Sequence, residues 1–388
     1  MNSKRGVLVI DGGSRGDIGV IRSLGFGDVP VHLLVSDPTS PSVASRYVTS
    51  VHPFPGLRAT DEKCLDAIHA AATAIGTRPV MLATGDRALA LMSRRREQLT
   101  EWVDIDLAPD SVINTCLDKS CFAPVARRLN LPVPQTYVPT TLDDARVLVK
   151  ELSYPVFVKP IDRADWERLP AGTVNSAKGQ RYDSAAPLLA LFETLDSYGA
   201  IKCVIQNFVE GGDGEHMSVH AYVLPDGTIA GTFTGSKVRI YPPGAGVGAL
   251  VVSKRMPHPE QLARDVLKAL GYTGFAILQF KRDVHRNRYE LLEINCRYST
   301  WTELPSRAGC NFPLVAYAAM TGAPLPPIVQ REGIAWLDFQ RDREGMSTYR
   351  QSGEWTWWSY LKSLRPVRSW AYFSWRDPGP FLRQVRNR

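Results

Sequence analysis

The chain reads as an α/β and α+β protein, with an N-terminal parallel-sheet domain, a mixed body built on antiparallel strands, and a basic C-terminal extension. Three observations carry that reading. Strand-like and helix-like segments alternate through the first hundred residues, the pattern of a parallel sheet covered on both faces. Two strand-length apolar runs, 275–283 (FAILQFKRD) and 289–299 (YELLEINCRYS), flank a polar turn and read as an antiparallel hairpin. The 388 residues exceed the roughly 100–200 of a single domain, so two or three are expected.

Composition excludes several classes. Hydrophobic residues make up 44% and charged residues 22%, the balance of a soluble globular chain. No apolar run approaches the roughly 18 residues that span a bilayer. The opening MNSKRGVLVIDGG lacks a signal-peptide cleavage pattern and reads as a first buried strand. Cys64, Cys116, Cys121, Cys203, Cys296 and Cys310 form no CxxC pair and have no histidine at metal spacing. Reduced thiols in a cytoplasmic protein are expected.

In order, residues 6–10 (GVLVI) form a strand, a glycine turn enters a helix, and 29–37 (VPVHLLVSD) form a second strand. Residues 60–76 are helical, 79–86 a strand and 88–99 another helix. The turn, with Asp37 closing the second strand, invites a dinucleotide-binding reading. Glycines at 12, 13, 16 and 19 do not give G-x-G-x-x-G, and Ser14 stands where backbone must meet a pyrophosphate. A tight turn explains them instead. Residues 118–130 form the next helix. Lys119 in its first turn is either an exposed cation or within reach of an anion held there.

Residues 154–162 (YPVFVKPID) are a buried strand interrupted by Lys159. A lysine there is costly to desolvate unless it meets an anion, either a phosphate or an internal acid such as Asp162. Residues 163–184 form a polar, glycine-bearing loop, a flap over phosphates or a disordered connection. Residues 203–227 give a strand, a connector and a second strand. Backbone freed at 207–209 suits an adenine edge, and Glu215 a ribose hydroxyl. The following strand carries Lys237 and Arg239 alternating onto one face.

Along the hairpin, side chains alternate, so Glu293, Asn295 and Arg297 project from one side. Folded symmetrically about its turn, the hairpin sets Gln279 opposite Glu293. A carboxylate, two amide oxygens and a guanidinium then converge where an apolar row should continue. Oxygen donors of this kind suit Mg²⁺, usually held by one or two protein groups plus substrate phosphates. The competing reading is a strand that runs out to a polar rim.

The order Asp118-Lys119, PVFVKP, IQNFVEGG, Gln279 and LLEINCR resembles the ATP-grasp superfamily. Within it, the chain is similar to carboxylate–amine ligases related to D-aspartate ligase and the carbamoyl-phosphate synthase large subunit. The resemblance covers about residues 5–325. It implies a Rossmann-like pre-ATP-grasp domain (1–108) and a two-lobed ATP-grasp domain (109–325; small lobe about 118–205, large lobe about 206–325). The extension then takes 326–388.

By that resemblance, Lys119 and Lys159 contact ATP phosphates, Gln206 with the Phe208–Val209 backbone holds adenine, and Glu215 sits near the ribose. Gln279, Glu293 and Asn295 would ligate one or two Mg²⁺ ions, with Mn²⁺ as a substitute. Arg297, Lys237 and Arg239 would meet the transferring phosphoryl group or an acyl phosphate. The pattern departs at Cys296, where the family has proline; ligand spacing survives but the fixed φ is lost. The glycine-rich flap is degenerate.

The implied reaction joins a carboxylate to an amine, through an acyl phosphate, with release of ADP and phosphate. Rival readings are carbamoyl-phosphate-like synthesis, small-acid phosphorylation, and a non-catalytic ATP-binding assembly protein. The expected partners are small-molecule acid and amine substrates, and dimers are common in similar ligases. Arg307 suits a substrate carboxylate or a surface position at a helix start. Residues 345–388 hold eight Arg/Lys against two acids, a net +6 of the chain's +7, with five tryptophans. The reading taken for this tail is an accessory lobe of packed rings and solvated arginines. Contact with an acidic polymer, such as a polysaccharide-linked acceptor, or with a membrane surface is the alternative. No RNA-binding signature is present, and no nucleic-acid partner is expected.

Overall fold

The computed structural model describes residues 4–12, 15–105, 107–161, 163–170, 172–174, 179–199 and 201–387. Gly13, Ser14 and Asp162, on which parts of the sequence reading fall, lie outside these residues. The first sheet is parallel throughout. It comprises β1 (Val7–Asp11), β2 (Val31–Val35), β3 (Val48–Pro53), β4 (Val80–Leu82) and β5 (Asp104–Ile105), in the order β3-β2-β1-β4-β5. β1, β2 and β4 are buried along their whole length, which is why they read as unbroken apolar runs. β3 alternates between half-buried and exposed and ends in proline, an edge position. Its polar sequence, VTSVHP, hides it from a search for apolar strands. The helix expected at 88–99 breaks into Asp86–Arg94 and Arg96–Leu99.

The segment expected as the small lobe carries a four-stranded sheet of β6 (Thr136–Tyr137), β7 (Val156–Pro160), β8 (Gln180–Tyr182) and β9 (Cys203–Asn207), ordered β6-β9-β7-β8. The segment expected as a bare loop at 163–184 contains a helix, Arg163–Glu167, and β8 itself. Trp166 from that helix is buried in the small-lobe core with Phe192 and Leu188. Residues 171 and 175–178 of the expected flap lie outside the described residues.

A seven-stranded sheet spans the segment expected as the large lobe and part of the extension. Its strands are β10 (His216–Val223), β11 (Ile229–Tyr241), β12 (Val247–Ser253), β13 (Gly274–Asp283), β14 (Arg288–Asn295), β15 (Ala335–Leu337) and β16 (Val367–Trp370). They are ordered β14-β13-β10-β11-β12-β15-β16. One face packs Met217, Val219, Ala221, Leu278 and Phe280 into the core shared with the first domain. β15 and β16 belong to the C-terminal extension, so that segment completes the sheet.

Buried ion pairs lock the extension down. Arg22, fully buried, donates to Glu303 Oε2 at 3.0 Å, Asp377 Oδ2 at 3.0 Å and the Tyr372 carbonyl at 2.6 Å. Arg239 makes a bidentate pair with Asp342 at 2.6 and 2.9 Å, between the rings of Trp355 and Tyr360.

Candidate functional site

A β-bulge shapes the hairpin. Near the turn, Phe280 pairs with Leu291 and Lys281 with Glu290, but beyond Leu292 the register slips, and Gln279 pairs with Glu293 and Ile277 with Asn295. Without the slip, Leu292 would face Gln279. Leu291 and Glu293 therefore point to opposite faces despite being two residues apart. Leu291 goes to the core and Glu293 to an open cleft. Bulges commonly re-aim side chains in this way beside functional sites.

The row continues across the sheet. Ser218 on β10 pairs with Gln279 and donates its hydroxyl to Gln279 Oε1 at 2.6 Å. Asn295 Nδ2 donates to Glu293 Oε1 at 3.1 Å, which turns the Asn295 amide oxygen away from that carboxylate. Glu293, Asn295, Gln279 and Ser218 thus form a patch of carboxylate, amide and hydroxyl oxygens. The set fits a hard divalent cation that completes its shell with substrate phosphates. Among the described residues no three His, Cys, Asp or Glu side chains form a metal cage.

Lysines surround the patch. Lys119, Lys159, Gln206 and Glu293 line one cleft of about 440 Å³ of empty space, counting the open solvent at its mouth. Desolvation pushes the Lys159 ammonium down to about 8, with Glu293 opposing the shift and Lys119 adding to it. Lys237 is buried, and desolvation lowers it too, offset in part by Glu293 and Asp213. Lys281, two residues beyond Gln279 on the same face of β13, is lowered by desolvation against the pull of Asp213 and Glu210. His216 pairs in register with Lys281 and is held well below its usual range, first by burial and then by Lys237, Lys281 and Lys159. Burial and the neighbouring cations thus disfavour the charged histidine, and the lysines supply the positive field.

The base-side segment is at the β9 exit. Gln206 Nε2 donates to Thr136 Oγ1 at 3.1 Å. The Phe208 N–H is occupied by the Pro155 carbonyl at 3.1 Å. Among the described residues no hydrogen bond engages the Val209 N–H, which leaves it and the Phe208 carbonyl as the edge able to meet a base. The Phe208 ring lies between Arg181 (4.4 Å) and Lys281 (4.7 Å), one from each lobe.

Other expected residues fall elsewhere. Arg239 does not share a face with Lys237: a bulge between them sets Lys237 against Val251 and Arg239 against Leu250, neighbours on opposite faces. Its guanidinium is consumed by Asp342, so the expected contact with a phosphoryl group is corrected to a structural one. Arg297 makes a two-pronged contact with Asp86 of the first domain, at 2.6 and 3.2 Å. Glu215 stands 3.8 Å from Arg282, whose side chain alternates away from Lys281. Arg307 pairs with Glu303 at 2.5 Å and covers the Phe26 ring, so it is neither a free substrate ligand nor a bare surface group. The sequence reading does not single out His216, Ser218 and Lys281. The alternation in HMSVHAYV, polar at 216, 218 and 220, was the available signal.

No protein-family model matches the chain. It is similar to D-aspartate ligase of Enterococcus faecium (strain Aus0004), 25% identical over 231 residues, covering 56% of this chain and 53% of that protein. It is also similar to the arginine-specific large chain of carbamoyl phosphate synthase from Geobacillus stearothermophilus, 24% identical over 207 residues, covering 51% of this chain and 18% of that protein. The chain thus spans about half the length of one curated relative and under a fifth of the other. In three dimensions it matches biotin carboxylase from Campylobacter jejuni, solved as a β,γ-ATP complex. That match has a TM-score of 0.63 and 15% identity, over 85% of this chain and 74% of that one. The chain has the ATP-grasp fold and, in sequence, resembles that superfamily's carboxylate–amine ligases.

Proposed function

We propose that the protein is an ATP-dependent carboxylate–amine ligase, activating a carboxylate as an acyl phosphate and coupling it to an amine with release of ADP and phosphate. The observation that carries this reading is the oxygen row Glu293–Gln279–Ser218, with Asn295 beside it, Lys159 and Lys237 within electrostatic reach of Glu293, and Lys281 two residues along the same face from Gln279. Glu293, Asn295 and Gln279 would hold one or two Mg²⁺ ions, which supply charge neutralisation at the β- and γ-phosphates. The Phe208 carbonyl and Val209 N–H would orient the base, and Lys119 and Lys159 the phosphates.

In the first step a substrate carboxylate oxygen bonds to the γ-phosphorus and the bond to ADP breaks. In the second, the amine nitrogen bonds to the acyl carbon, phosphate leaves, and the nitrogen loses a proton. Such transfer is catalysed mainly by positioning and charge stabilisation. The buried lysines suit it because their ammonium groups lack full hydration before the nucleotide arrives. Arg297, oriented by Asp86 at the end of the oxygen row, would meet the acyl phosphate, with Lys237 beside it. Glu215 is assigned to the ribose side.

The test is ADP release from Mg-ATP across pairs of small carboxylates and amines. The ligase reading expects turnover that requires both partners. Steady ADP release with the acid alone would make the protein a kinase, and nucleotide binding without ADP release across the screen would make it a non-catalytic binder. Either result sinks the proposal.

A further inference from the structure

The C-terminal segment presents a surface that the ligase reading does not use. Its anchor is Asp377, fully buried, whose carboxylate accepts from Arg22 Nε at 3.0 Å, Ser45 Oγ at 2.8 Å and the Arg46 N–H at 2.9 Å. Two residues earlier, Trp375 projects outward with 84% of its surface exposed. Its ring meets Phe373 edge-on at 4.8 Å, and Phe373 meets Phe381 in the same manner at 5.5 Å. Phe381 lies in the helix Gly379–Arg386, where Leu382 and Val385 are each 54% exposed. Positions 381, 382 and 385 share one helical face.

The helix cannot roll to hide that face. Gly379 sits so close to the first domain that a Cβ there would stand 1.9 Å from the Ala44 carbonyl oxygen, and Pro380 is buried. Arg383 donates to the Thr39 carbonyl at 3.2 Å, leaving Arg376 and Arg386 exposed beside the apolar stripe. Within residues 365–388 the only acid is the buried Asp377, against six arginines. A held apolar face of one tryptophan, one phenylalanine and two aliphatics, with exposed Arg376 and Arg386 in the same segment and Asp37 of the first domain drawn to Arg383, has the chemistry of an interfacial anchor. Rings and aliphatic chains enter the headgroup region while guanidinium groups meet lipid phosphates. No described helix is long and apolar enough to cross a membrane.

We propose that Trp375, Phe381, Leu382 and Val385, with Arg376 and Arg386, dock the protein onto an anionic lipid bilayer. The inference does not rest on the ligase reading. The whole chain is sedimented with vesicles of phosphatidylglycerol and phosphatidylcholine, and with phosphatidylcholine alone, at low and high salt. The expected result is binding to the anionic vesicles, weakened by salt, with a blue shift of tryptophan emission. The variant Trp375→Ser/Leu382→Ser/Val385→Ser, all at exposed positions, is expected to keep its melting midpoint and lose about tenfold or more in partitioning. Wild-type protein that stays in the supernatant with anionic vesicles, or a variant that partitions equally well, overturns the proposal. Self-association that the variant abolishes, without vesicle binding, would assign the face to a second copy and overturn it as well.

Discussion

On the proposed reading, replacing Glu293 with alanine is expected to lower ADP release by roughly a thousandfold, the scale on which a single preorganised charge contact acts in phosphoryl and acyl transfer. The geometry explains why the loss is so concentrated. Glu293 is the one carboxylate of the oxygen row, set against Gln279 by the slip at Leu292, and its neighbours Asn295 and Gln279 are neutral amides. The fold should survive, because the side chain is exposed in the cleft; a stability change within about 0.5 kcal/mol is expected.

A second readout separates this role from a structural one. Glu293 raises the Lys159 ammonium against the desolvation that holds it at about 8, so its removal moves that titration further down. At pH 8 the wild-type lysine is then about half protonated and the variant's less so. The side-chain NMR titration of Lys159 reads this directly. Wild-type ADP release in the variant, or an unmoved Lys159, contradicts the assignment.

The variant Arg239→Met is expected to fail in the opposite way, losing stability rather than chemistry. Both members of the Arg239–Asp342 pair have fully buried side chains, and removing one strands the other. Breaking such a pair costs about 3–5 kcal/mol. The pair joins β11 to the helix Phe339–Gln351, so the extension should loosen first. Protease nicking within 339–370 and a lowered melting midpoint are the expected signs, while kcat per folded molecule holds. A large fall in kcat at an unchanged midpoint would return Arg239 to the reaction, as its spacing from Lys237 suggests on paper.

That contrast marks the limit of what a sequence discloses. Strand periodicity is legible, since alternation follows from backbone geometry, and it puts Glu293, Asn295 and Arg297 on one side of their strand. A one-residue slip is not legible, yet it inverts every side chain beyond it. The slip at Leu292 brings Glu293 to Gln279; the slip between Lys237 and Arg239 drives them apart. Helix and strand existence in the first domain followed from apolar runs, whereas β3 was invisible because its exposed edge carries polar residues. The extension's two strands were hidden for another reason. β15 and β16 are only three and four residues long, and they gain their meaning by completing a sheet whose other members lie far back in the chain. Three of its five C-terminal tryptophans, Trp357, Trp358 and Trp375, are exposed, so the expectation of packed rings holds for Trp355 and Trp370 alone.

Crystals soaked with Mn²⁺ and a non-hydrolysable ATP analogue give the most direct test of the site as a whole. Anomalous scattering should put manganese within bonding distance of Glu293 and Asn295, beside Gln279, with the triphosphate reaching Lys159. Manganese bound elsewhere, or a nucleotide seated away from that lysine, would contradict the account.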